Sequence, residues 1–328
     1  MTDLKHKKKP VASLSLDLDN KWSYMKTHGD ADWETFPSYL DIVIPRVVSF
    51  LKTLDLQITF FVVGQDAELE KNRDALSQIA EAGHEIGNHS FHHEPWLHLK
   101  SDLEIADELE RAEVAIERST GKRPGGFRGP GFSHSESILR ILKNRGYVYD
   151  ASTFPTFLGP LARAYYFMTS DLNEEEMQKR KELFGNFSEG FRPLKAHRVH
   201  LEAGDLVEIP VTTMPLIKSP IHVSYLLYLS RFSPEIARLY FRMALEACSI
   251  AGIGISLLLH PLDFLGCDDF GELAFFPGMN MNAARKISFV GDALHLLSEK
   301  FQIVKMIDHA EWVLSDSKTV QAPVAGKI

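Results

Sequence analysis

Short runs of consecutive apolar residues alternate along this chain with longer segments in which apolar residues recur every three or four positions. The short runs predict buried β-strands, and the longer segments predict helices with one buried face. The predicted strands cover residues 11–18, 58–63, 84–88, 127–133, 147–149, 206–211, 253–259 and 302–305. The predicted helices cover residues 38–54, 67–82, 101–118, 135–144, 234–251, 283–300 and 308–314.

Polar residues, glycine and proline mark where several of these helices begin or end. Ser101 and Glu104 form a predicted capping box at the start of the third predicted helix, and Gly121 follows the end of that helix. Pro45 lies inside the first predicted helix and indicates either a kink or the true helix start.

The alternation of strands and helices predicts an α/β fold in which a parallel sheet or barrel is covered by helices. Residues 154–205 interrupt the rhythm with an aromatic patch and then a charged stretch. We interpret this segment as an insertion, because it is too short to bury a core of its own. The chain is predicted to be a single domain over residues 1–328, with a flexible lead-in at 1–10 and a flexible tail at 315–328.

Composition and charge exclude some classes of protein. Of the 328 residues, 45% are hydrophobic and 24% are charged, which is typical of a globular protein. The net charge of −8 argues against a general nucleic-acid-binding protein, because such a protein needs a basic face. Cys248 and Cys267 are the two cysteines, too few for a disulfide framework or a cysteine-based metal site.

The N-terminus carries a short basic run at residues 5–9, and no apolar stretch of signal-peptide length follows it. No segment approaches the roughly 20 apolar residues of a membrane span. These patterns predict a cytoplasmic protein, unless an export signal was removed from the chain. The basic run is interpreted as solvated, with a weak contact to an anionic membrane surface as the alternative.

Polar side chains follow the predicted strands at five places, which is where catalytic residues collect in parallel α/β proteins. Asp17 and Asp19 end the first strand, and His89 and His93 follow the third. The remaining three places are Arg128, Asp150 and His260.

His89 and His93 are spaced so that, on one helical turn, both imidazoles would face the same ion. Asp17 and Asp19 would point to the same side of an extended strand, so that one could bind the ion while the other stays free as a base. Two histidines and one carboxylate leave positions open for water and substrate. Surface histidines and solvated acids are the alternative. His84, His92 and His98 are predicted to be structural or surface residues.

Arg128, His260 and Asp150 suggest a proton-transfer site beside that ion. The glycines around Arg128 let the backbone approach a ligand, and its cation would keep Asp17 ionised. His260, which leaves a fully apolar strand, is placed as a general acid, and Asp150 could orient it or stabilise its charge. A salt-bridged loop arginine and a buried, hydrogen-bonded histidine are the alternatives for the first two residues.

Taken in order, these residues resemble the motifs of the polysaccharide deacetylase family, which comprises the NodB homology domain and carbohydrate esterase family 4. "SLDLDN" resembles the acidic pair of the first motif with one residue inserted, and the segment from His89 to His93 matches His-Ser/Thr-x-x-His. "RGPGF" at Arg128 keeps the arginine, one proline and the aromatic residue of the third motif. "YVYDAST" keeps an aspartate, Asp150, without the usual tryptophan, and "LLLH" keeps the histidine of the fifth motif.

The resemblance implies an irregular (β/α) barrel that removes acetyl groups from N-acetylated or O-acetylated sugars with a divalent metal, commonly zinc. By the same match, Asp17 is the catalytic base, His260 is the general acid, and the metal ligands are Asp19, His89 and His93.

The third motif implies further roles. Arg128 orients Asp17, and the backbone N–H of Gly131 helps to bind the oxyanion, with Pro130 and Phe132 beside it at the substrate. The missing tryptophan predicts that Phe154 or Trp96 supplies the hydrophobic wall.

The implied substrate is an N-acetylated sugar or glycan, and the absence of a signal favours a lipid-linked or nucleotide-linked precursor. The aromatic segment 154–168 and the apolar run 223–229 could contact lipid or cover the site, or could simply be packed in the core. Two other functions stay open. One is an allantoinase-like amidohydrolase acting on a small cyclic amide or ureide, and the other is a non-catalytic carbohydrate-binding relative. The oligomeric state is not predicted.

Overall fold

A computed structural model describes residues 9–159, 187–316 and 321–322. The middle of the predicted insertion, nearly all of the lead-in and most of the tail lie outside the described residues, as does most of the aromatic segment 154–168.

The described residues form one ten-stranded sheet around which the helices pack. Its spatial order is β10-β6-β7-β5-β4-β3-β2-β1-β8, and β9 pairs with the first half of β1. All pairs are parallel except the β6–β7 hairpin. The strands are β1 (Val11–Asp17), β2 (Thr59–Val62), β3 (Glu85–Asn88), β4 (Gly126–Phe127), β5 (Tyr149–Asp150), β6 (His197–Leu201), β7 (Gly204–Glu208), β8 (Ile255–Leu259), β9 (Gln302–Val304) and β10 (Gln321–Ala322).

The segment after β7 connects the two sides of the sheet into a barrel. The N–H of Val211 donates to the carbonyl of Thr153, which follows β5, over 2.9 Å. One residue later, the N–H of Thr212 donates to the carbonyl of Ser256 in β8 over 3.0 Å, and the N–H of Ser256 donates to Thr212 Oγ1 over 2.8 Å. The strands from β1 to β8 therefore form an irregular ring joined by few main-chain hydrogen bonds at this point.

Ten α-helices are described. They are α1 (Lys21–His28), α2 (Leu40–Thr53), α3 (Gly64–Glu68), α4 (Arg73–Glu81), α5 (Asp102–Thr120), α6 (Glu136–Asn144), α7 (Val223–Ser230), α8 (Pro234–Ile250), α9 (Ala283–Lys300) and α10 (Met306–Ser315). The capping box of Ser101 and Glu104 forms as predicted, and Gly121 closes α5 at φ +69°. Pro45 lies inside α2.

One helical prediction was wrong in part. The helix predicted over 67–82 is interrupted at Leu69, which is extended, so that α3 and α4 are separate. The buried Asn72 side chain donates to the carbonyl of Asp66 over 3.0 Å, and this contact holds the interruption in place. The pattern also did not predict α1, because its cap residues Asn20 and Gly29 define it and it has no apolar periodicity.

The described part of the predicted insertion contributes to the sheet. β6 lies within 154–205 and pairs with β7 along its whole length, from His197 opposite Glu208 to Leu201 opposite Gly204. The apolar run 223–229 forms most of α7, whose residues Val223, Leu226 and Leu227 are buried in the main core. Core packing, one of the two interpretations of this run, is therefore what the structure shows for these side chains.

None of the helices among the described residues is long and apolar enough to cross a membrane.

Candidate metal and catalytic site

The register of the parallel strands brings the predicted site residues to one edge of the sheet. Asp17 lies opposite Phe61 in β2, and Leu16 lies opposite Leu259, the residue before His260. On the other side, Asn88 lies opposite Phe127, so that His89 and Arg128 leave neighbouring strands at the same level. Because parallel strands end at the same edge, residues far apart in sequence meet there.

Asp17 and Arg128 form a buried ion pair at the ends of β1 and β4. Arg128 Nη1 donates to Asp17 Oδ1 over 2.9 Å, and also to Ser15 Oγ over 2.9 Å. Arg128 Nε donates to the carbonyl of Ala151 over 3.0 Å, and the guanidinium lies over the ring of Phe61. A fully buried guanidinium whose Nε and Nη1 are both hydrogen-bonded fixes the position of the Asp17 carboxylate.

Asp19, His89 and His93 form a cluster next to this pair. Asp19 Oδ1 lies 2.9 Å from His93 Nε2 and 3.4 Å from His89 Nε2. His89 Nδ1 donates to the carbonyl of Arg128 over 2.6 Å, which leaves the lone pair on His89 Nε2 turned toward the cluster. Each residue thus offers one ligand atom, and these atoms lie within 4.8 Å of one another. The donor set fits a divalent ion of the zinc type.

The electrostatics of the cluster favour an ionised carboxylate. Burial raises the pKa of Asp19, but the neighbouring His93 and His89 outweigh burial and hold this pKa well below its usual range. Burial lowers the pKa of His93, and Asp19 offsets only part of the effect. Burial also lowers the pKa of His89, but Asp17 and Asp19 more than compensate, so that this pKa is raised.

The backbone that carries the two histidines is not the helical turn that the spacing suggested. Residues 89–93 form a loop in which Ser90 and His93 have φ of +58° and +52°. The N–H groups of Phe91 and His92 donate to Glu108 Oε2 over 3.0 Å each, and the imidazole of His92 pairs with Glu108 Oε1. A buried carboxylate of α5 therefore holds the loop that positions the ligands.

The acidic pair also differs from the expected extended geometry. β1 ends at Asp17, and Asp19 lies in the following loop. Tyr24 Oη donates to Asp19 Oδ2 over 3.3 Å, and Tyr39 Oη donates to the Asp19 carbonyl over 2.6 Å. These two tyrosines, from α1 and the start of α2, hold Asp19 against the histidines. The direction of β1 does not determine the orientation of Asp19.

His260 lies after β8, as predicted, and two residues fix it. Its Nδ1 lies 3.0 Å from Ser224 Oγ, and its backbone N–H donates to Asp263 Oδ2 over 2.8 Å. Burial raises the pKa of Asp263, and the charge of His260 lowers it again in part. This arrangement leaves His260 Nε2 as the ring nitrogen available for proton transfer.

Among the described contacts, the imidazole of His260 meets Ser224 and the carboxylate of Asp150 meets Ser152, so that the predicted link between Asp150 and His260 is not seen. Asp150 lies opposite Glu208 of β7, and its Oδ1 accepts from Ser152 Oγ over 2.5 Å. The same Ser152 oxygen accepts from the N–H of Gly129 over 2.8 Å. Asp150 thus contacts the Arg128 loop through Ser152, and its strand β5 lies four positions from β1, the partner of β8, in the sheet order.

The loop from Pro130 to Phe132 forms a 3-10 turn in which Gly131 has φ +58° and Phe132 has φ +63°. The ring of Phe132 lies 4.8 Å from that of Phe154, which lies 5.6 Å from the ring of His222. His222 lies 6.4 Å from His260 by ring centroids. Aromatic side chains therefore run from the loop to the predicted general acid, and Phe154 is one of the two residues suggested for that wall.

His84, His92 and His98 take structural positions, as the sequence suggested. His84 Nδ1 accepts from the N–H of Ile58 over 3.1 Å, and burial lowers its pKa to about 4. His98 Nδ1 lies 2.8 Å from Ser133 Oγ.

Several residues at the site were not predicted. Ser15, Glu108, Ser224 and Asp263 support the predicted residues, and Glu208 and His134 lie next to Asp150. Of these, Asp263 alone carried a local signal, since it follows His260 in a short polar segment after a buried strand. His134 lies in a loop, and the others lie on helices or strands whose apolar pattern gives no sign of a site.

Comparison with known proteins confirms the resemblance that the motifs predicted. Residues 30–149 match the sequence model of the family described as "Polysaccharide deacetylase". This range contains His89, His93 and Arg128, and it ends before Asp150 and His260.

Two bacterial relatives match a similar part of the chain. A peptidoglycan deacetylase of Helicobacter pylori is 29% identical over 131 residues, which are 40% of this chain and 42% of the relative. The peptidoglycan-N-acetylmuramic acid deacetylase PdaA of Bacillus subtilis is 36% identical over 104 residues, 31% of this chain and 38% of the relative. The chain thus matches less than half the length of either relative.

The fold is shared with a solved structure. A crystal structure of a candidate polysaccharide deacetylase from Mycobacterium smegmatis superposes with a TM-score of 0.65 at 19% identity, covering 100% of this chain and 98% of that one. The predicted irregular (β/α) barrel is therefore confirmed.

Proposed function

We propose that this chain, whose relation to the polysaccharide deacetylase family is confirmed over residues 30–149, hydrolyses the acetyl amide of an N-acetylated sugar with the help of a divalent metal ion, zinc in the first instance. The observation that carries the proposal is the placement of a three-ligand cluster, Asp19, His89 and His93, directly beside the buried Asp17–Arg128 pair. An amide, as opposed to an ester, is favoured because the Bacillus subtilis relative is named a peptidoglycan-N-acetylmuramic acid deacetylase.

Asp19, His89 and His93 are the residues that would hold the ion. When bound, a divalent ion polarises the substrate carbonyl and makes a water molecule more acidic. His89 contributes Nε2 because its Nδ1–H is committed to the Arg128 carbonyl. The side chains of Asp19 and His93 are each about 14% exposed, so that a substrate can reach this side of the cluster.

Asp17 is the proposed general base. Arg128 holds its Oδ1, so that the carboxylate points into the site, where it accepts a proton as water attacks the acetyl carbon. The water oxygen forms a bond to that carbon, and the carbon–nitrogen bond then breaks. The products are acetate and a free amine.

His260 is the proposed general acid. A protonated imidazole donates from Nε2 to the departing nitrogen, while Nδ1 keeps its contact with Ser224 Oγ. The buried carboxylate of Asp263 accepts a hydrogen bond from the His260 backbone N–H and so helps to orient this residue. Asp263 takes the place that the sequence had given to Asp150.

Gly131 is proposed to assist through its backbone N–H, which would donate to the developing oxyanion. Pro130 and Phe132 flank it, and the rings of Phe132 and Phe154 form an apolar surface on which a sugar ring or its acetyl methyl group can pack.

The proposal is tested by measuring metal content and acetate release in parallel, with N-acetylglucosamine oligomers and peptidoglycan fragments as substrates. Asp17→Asn should keep the metal and lose about 100- to 10,000-fold in turnover, because only the base is removed. His93→Ala should lose the metal, and turnover with it.

Two exposed residues give matched controls. Asp41→Asn changes an exposed carboxylate on α2, and His295→Ala removes an exposed imidazole on α9. Both should behave like the unmodified chain. Equal metal loss in Asp17→Asn and His93→Ala would contradict the division of roles. Ring opening of a cyclic ureide without acetate release would favour the amidohydrolase instead, and glycan binding by a fully metal-loaded but inactive protein would favour the binding relative.

A further inference from the structure

A second imidazole–carboxylate cluster lies at the same edge of the sheet. It consists of His134, Asp150 and Glu208, whose ligand atoms lie within 4.8 Å of one another. The two carboxylates come from directly opposed positions of the parallel strands β5 and β7. His134 reaches them from the loop that follows Phe132.

One oxygen of each carboxylate, called the outer oxygen, accepts hydrogen bonds from neighbouring residues. Asp150 Oδ1 accepts from Ser152 Oγ over 2.5 Å. Glu208 Oε1 accepts from Thr153 Oγ1 over 2.5 Å and from the Thr153 N–H over 3.3 Å. Each carboxylate is thereby held in one orientation, with its second oxygen turned inward.

The inner oxygens have no hydrogen-bond partner among the described residues. Asp150 Oδ2 and Glu208 Oε2 are both buried and both lack one. His134 Nε2 lies 4.0 Å from the first and 3.8 Å from the second, beyond hydrogen-bonding reach. Two buried carboxylate oxygens that face each other without a donor are costly, because each has lost its water.

Neighbouring charges do not neutralise the pair. Arg192 acts on Glu208 from nearby, but its guanidinium pairs with Glu189. His197 is the other basic group at this place, and its Nδ1 contacts the Lys195 carbonyl. The centre of the cluster therefore has two inward oxygens and one inward imidazole nitrogen, and no lysine or arginine of the described residues forms an ion pair with it.

We propose that His134 Nε2, Asp150 Oδ2 and Glu208 Oε2 bind a second divalent cation, of the zinc type, separate from the one proposed at Asp19. One imidazole and two carboxylates suit Zn²⁺ better than Mg²⁺ or Ca²⁺, which favour oxygen ligands alone. Ligand atoms about 2.1 Å from a tetrahedral ion lie roughly 3.4 Å apart. The two distances from His134 Nε2, 4.0 and 3.8 Å, therefore need to close by roughly half an ångström.

The position indicates a structural role for this cation. Arg128 and His134 delimit the loop that carries Gly131, and Arg128 is anchored at Asp17. A cation at His134 would fix the other end of the loop to β5 and β7. The Gly129 N–H, bound to Ser152 and through it to Asp150, adds a second link between the loop and this site. The inference stands on its own residues and does not depend on the proposed reaction.

The test counts bound metal in the full-length chain after removal of all metal and dialysis against Zn²⁺, with Co²⁺ as a spectroscopic probe. The unmodified chain should bind two equivalents. Glu208→Gln and His134→Ala should each bind one, His93→Ala should bind the other one, and the double variant Glu208→Gln/His93→Ala should bind none.

A matched control lies on the β6–β7 hairpin, where His200 Nδ1 contacts Asp205 Oδ1 over 2.8 Å in an exposed pair. His200→Ala should keep two equivalents. His134→Ala removes a partly exposed side chain, so that it tests the site even if Glu208→Gln fails to fold.

Each outcome separates this inference from the proposed function. If His93→Ala removes all metal and Glu208→Gln removes none, the second site does not exist and the carboxylates share a proton instead. If the chain binds one ion that is lost in Glu208→Gln and kept in His93→Ala, the second site stands and the metal site of the proposed function fails. A weak signal that is equal in every variant would also overturn the inference.

Discussion

The two imidazole–carboxylate clusters of this protein lie at the same edge of one sheet but are built differently. At Asp19, two imidazole nitrogens approach one carboxylate oxygen at 2.9 and 3.4 Å, so that the ligand atoms are in direct contact. At Asp150, two carboxylates oppose each other and one imidazole stands 3.8 to 4.0 Å away. The first cluster can hold itself together without an ion, whereas the second has unsatisfied buried oxygens without one.

The difference between the two clusters indicates a different role for the ion in each. A site whose ligands are already paired and partly exposed can exchange water and substrate. A site whose ligands are buried and held by serine and threonine hydroxyl groups is suited to keeping an ion in place. Arg128 lies between the two clusters. Variants at Arg128, Glu108 and Gly131 test whether the two clusters are independent.

The largest effect is expected at Arg128, which contacts both regions through Asp17 and the Ala151 carbonyl. Arg128→Met leaves the buried Asp17 without its cation, and we expect a loss of about 3–5 kcal/mol in the free energy of unfolding. Urea unfolding measures it. Arg145→Met, which breaks a partly exposed pair with Glu113, should cost about 1 kcal/mol or less. Similar costs for both variants would show that burial of Arg128 does not matter.

An intermediate effect is expected at Glu108, which supports the first cluster alone. Glu108→Gln weakens the contacts with the His92 imidazole and the two loop N–H groups. We expect a loss of about 1–3 kcal/mol in stability and a roughly 10- to 100-fold weaker affinity for metal at Asp19, with the second site unchanged. Glu117→Gln, an exposed change on the same helix, should have neither effect.

The stability difference between Glu108→Gln and the unmodified chain should depend on pH. Burial raises the pKa of Glu108, but its bonds to His92 outweigh this and lower the pKa to about 2. A lowered carboxyl pKa contributes stability that is present above the ordinary value of about 4.3 and is lost as the pH falls toward the lowered value. Between pH 5 and pH 3 the unmodified chain should therefore lose more stability than Glu108→Gln. Parallel curves would contradict the assignment.

The smallest effect on stability is expected at Gly131, in the loop between the clusters. Gly131→Ala places a Cβ 2.6 Å from Pro95 Cβ at φ +58°. Gly121→Ala has the same strain at φ +69° with nothing within 4 Å. Both should lose about 1–2 kcal/mol in unfolding free energy from the left-handed backbone, with a further loss at Gly131. Acetate release should fall in Gly131→Ala alone, and equal activities would remove the loop N–H from the mechanism.

The sequence predicted the first cluster but not for the right geometric reason. His89 and His93 meet, yet they do so on a loop with two positive φ angles, where a helical turn was expected. Asp19 faces them because Tyr24 and Tyr39 hold it, and not because a strand continues. The motif spacing identifies the residues, while tertiary contacts from α1, α2 and α5 decide how they approach.

The second cluster could not be predicted from local patterns. Asp150 and Glu208 are 58 positions apart, and only the β5–β7 register brings them together. Glu208 ends a strand that the apolar residues predict without it, and His134 lies in a loop with no distinctive pattern. Spacing rules detect ligands that are near in sequence, and they do not detect pairs that arise from strand register.

The position of β1 has a kinetic consequence. This strand pairs with β2 near the N-terminus, but it also pairs with β8 and β9, which end more than 240 residues later. During synthesis, β1 therefore cannot pair with β8 and β9 until most of the chain has left the ribosome. Such long sequence separations slow folding and leave strand edges open in the interim. We expect that nascent chains ending before β8 need chaperone protection, and that Asp17 and His260 come together only in one of the last folding steps.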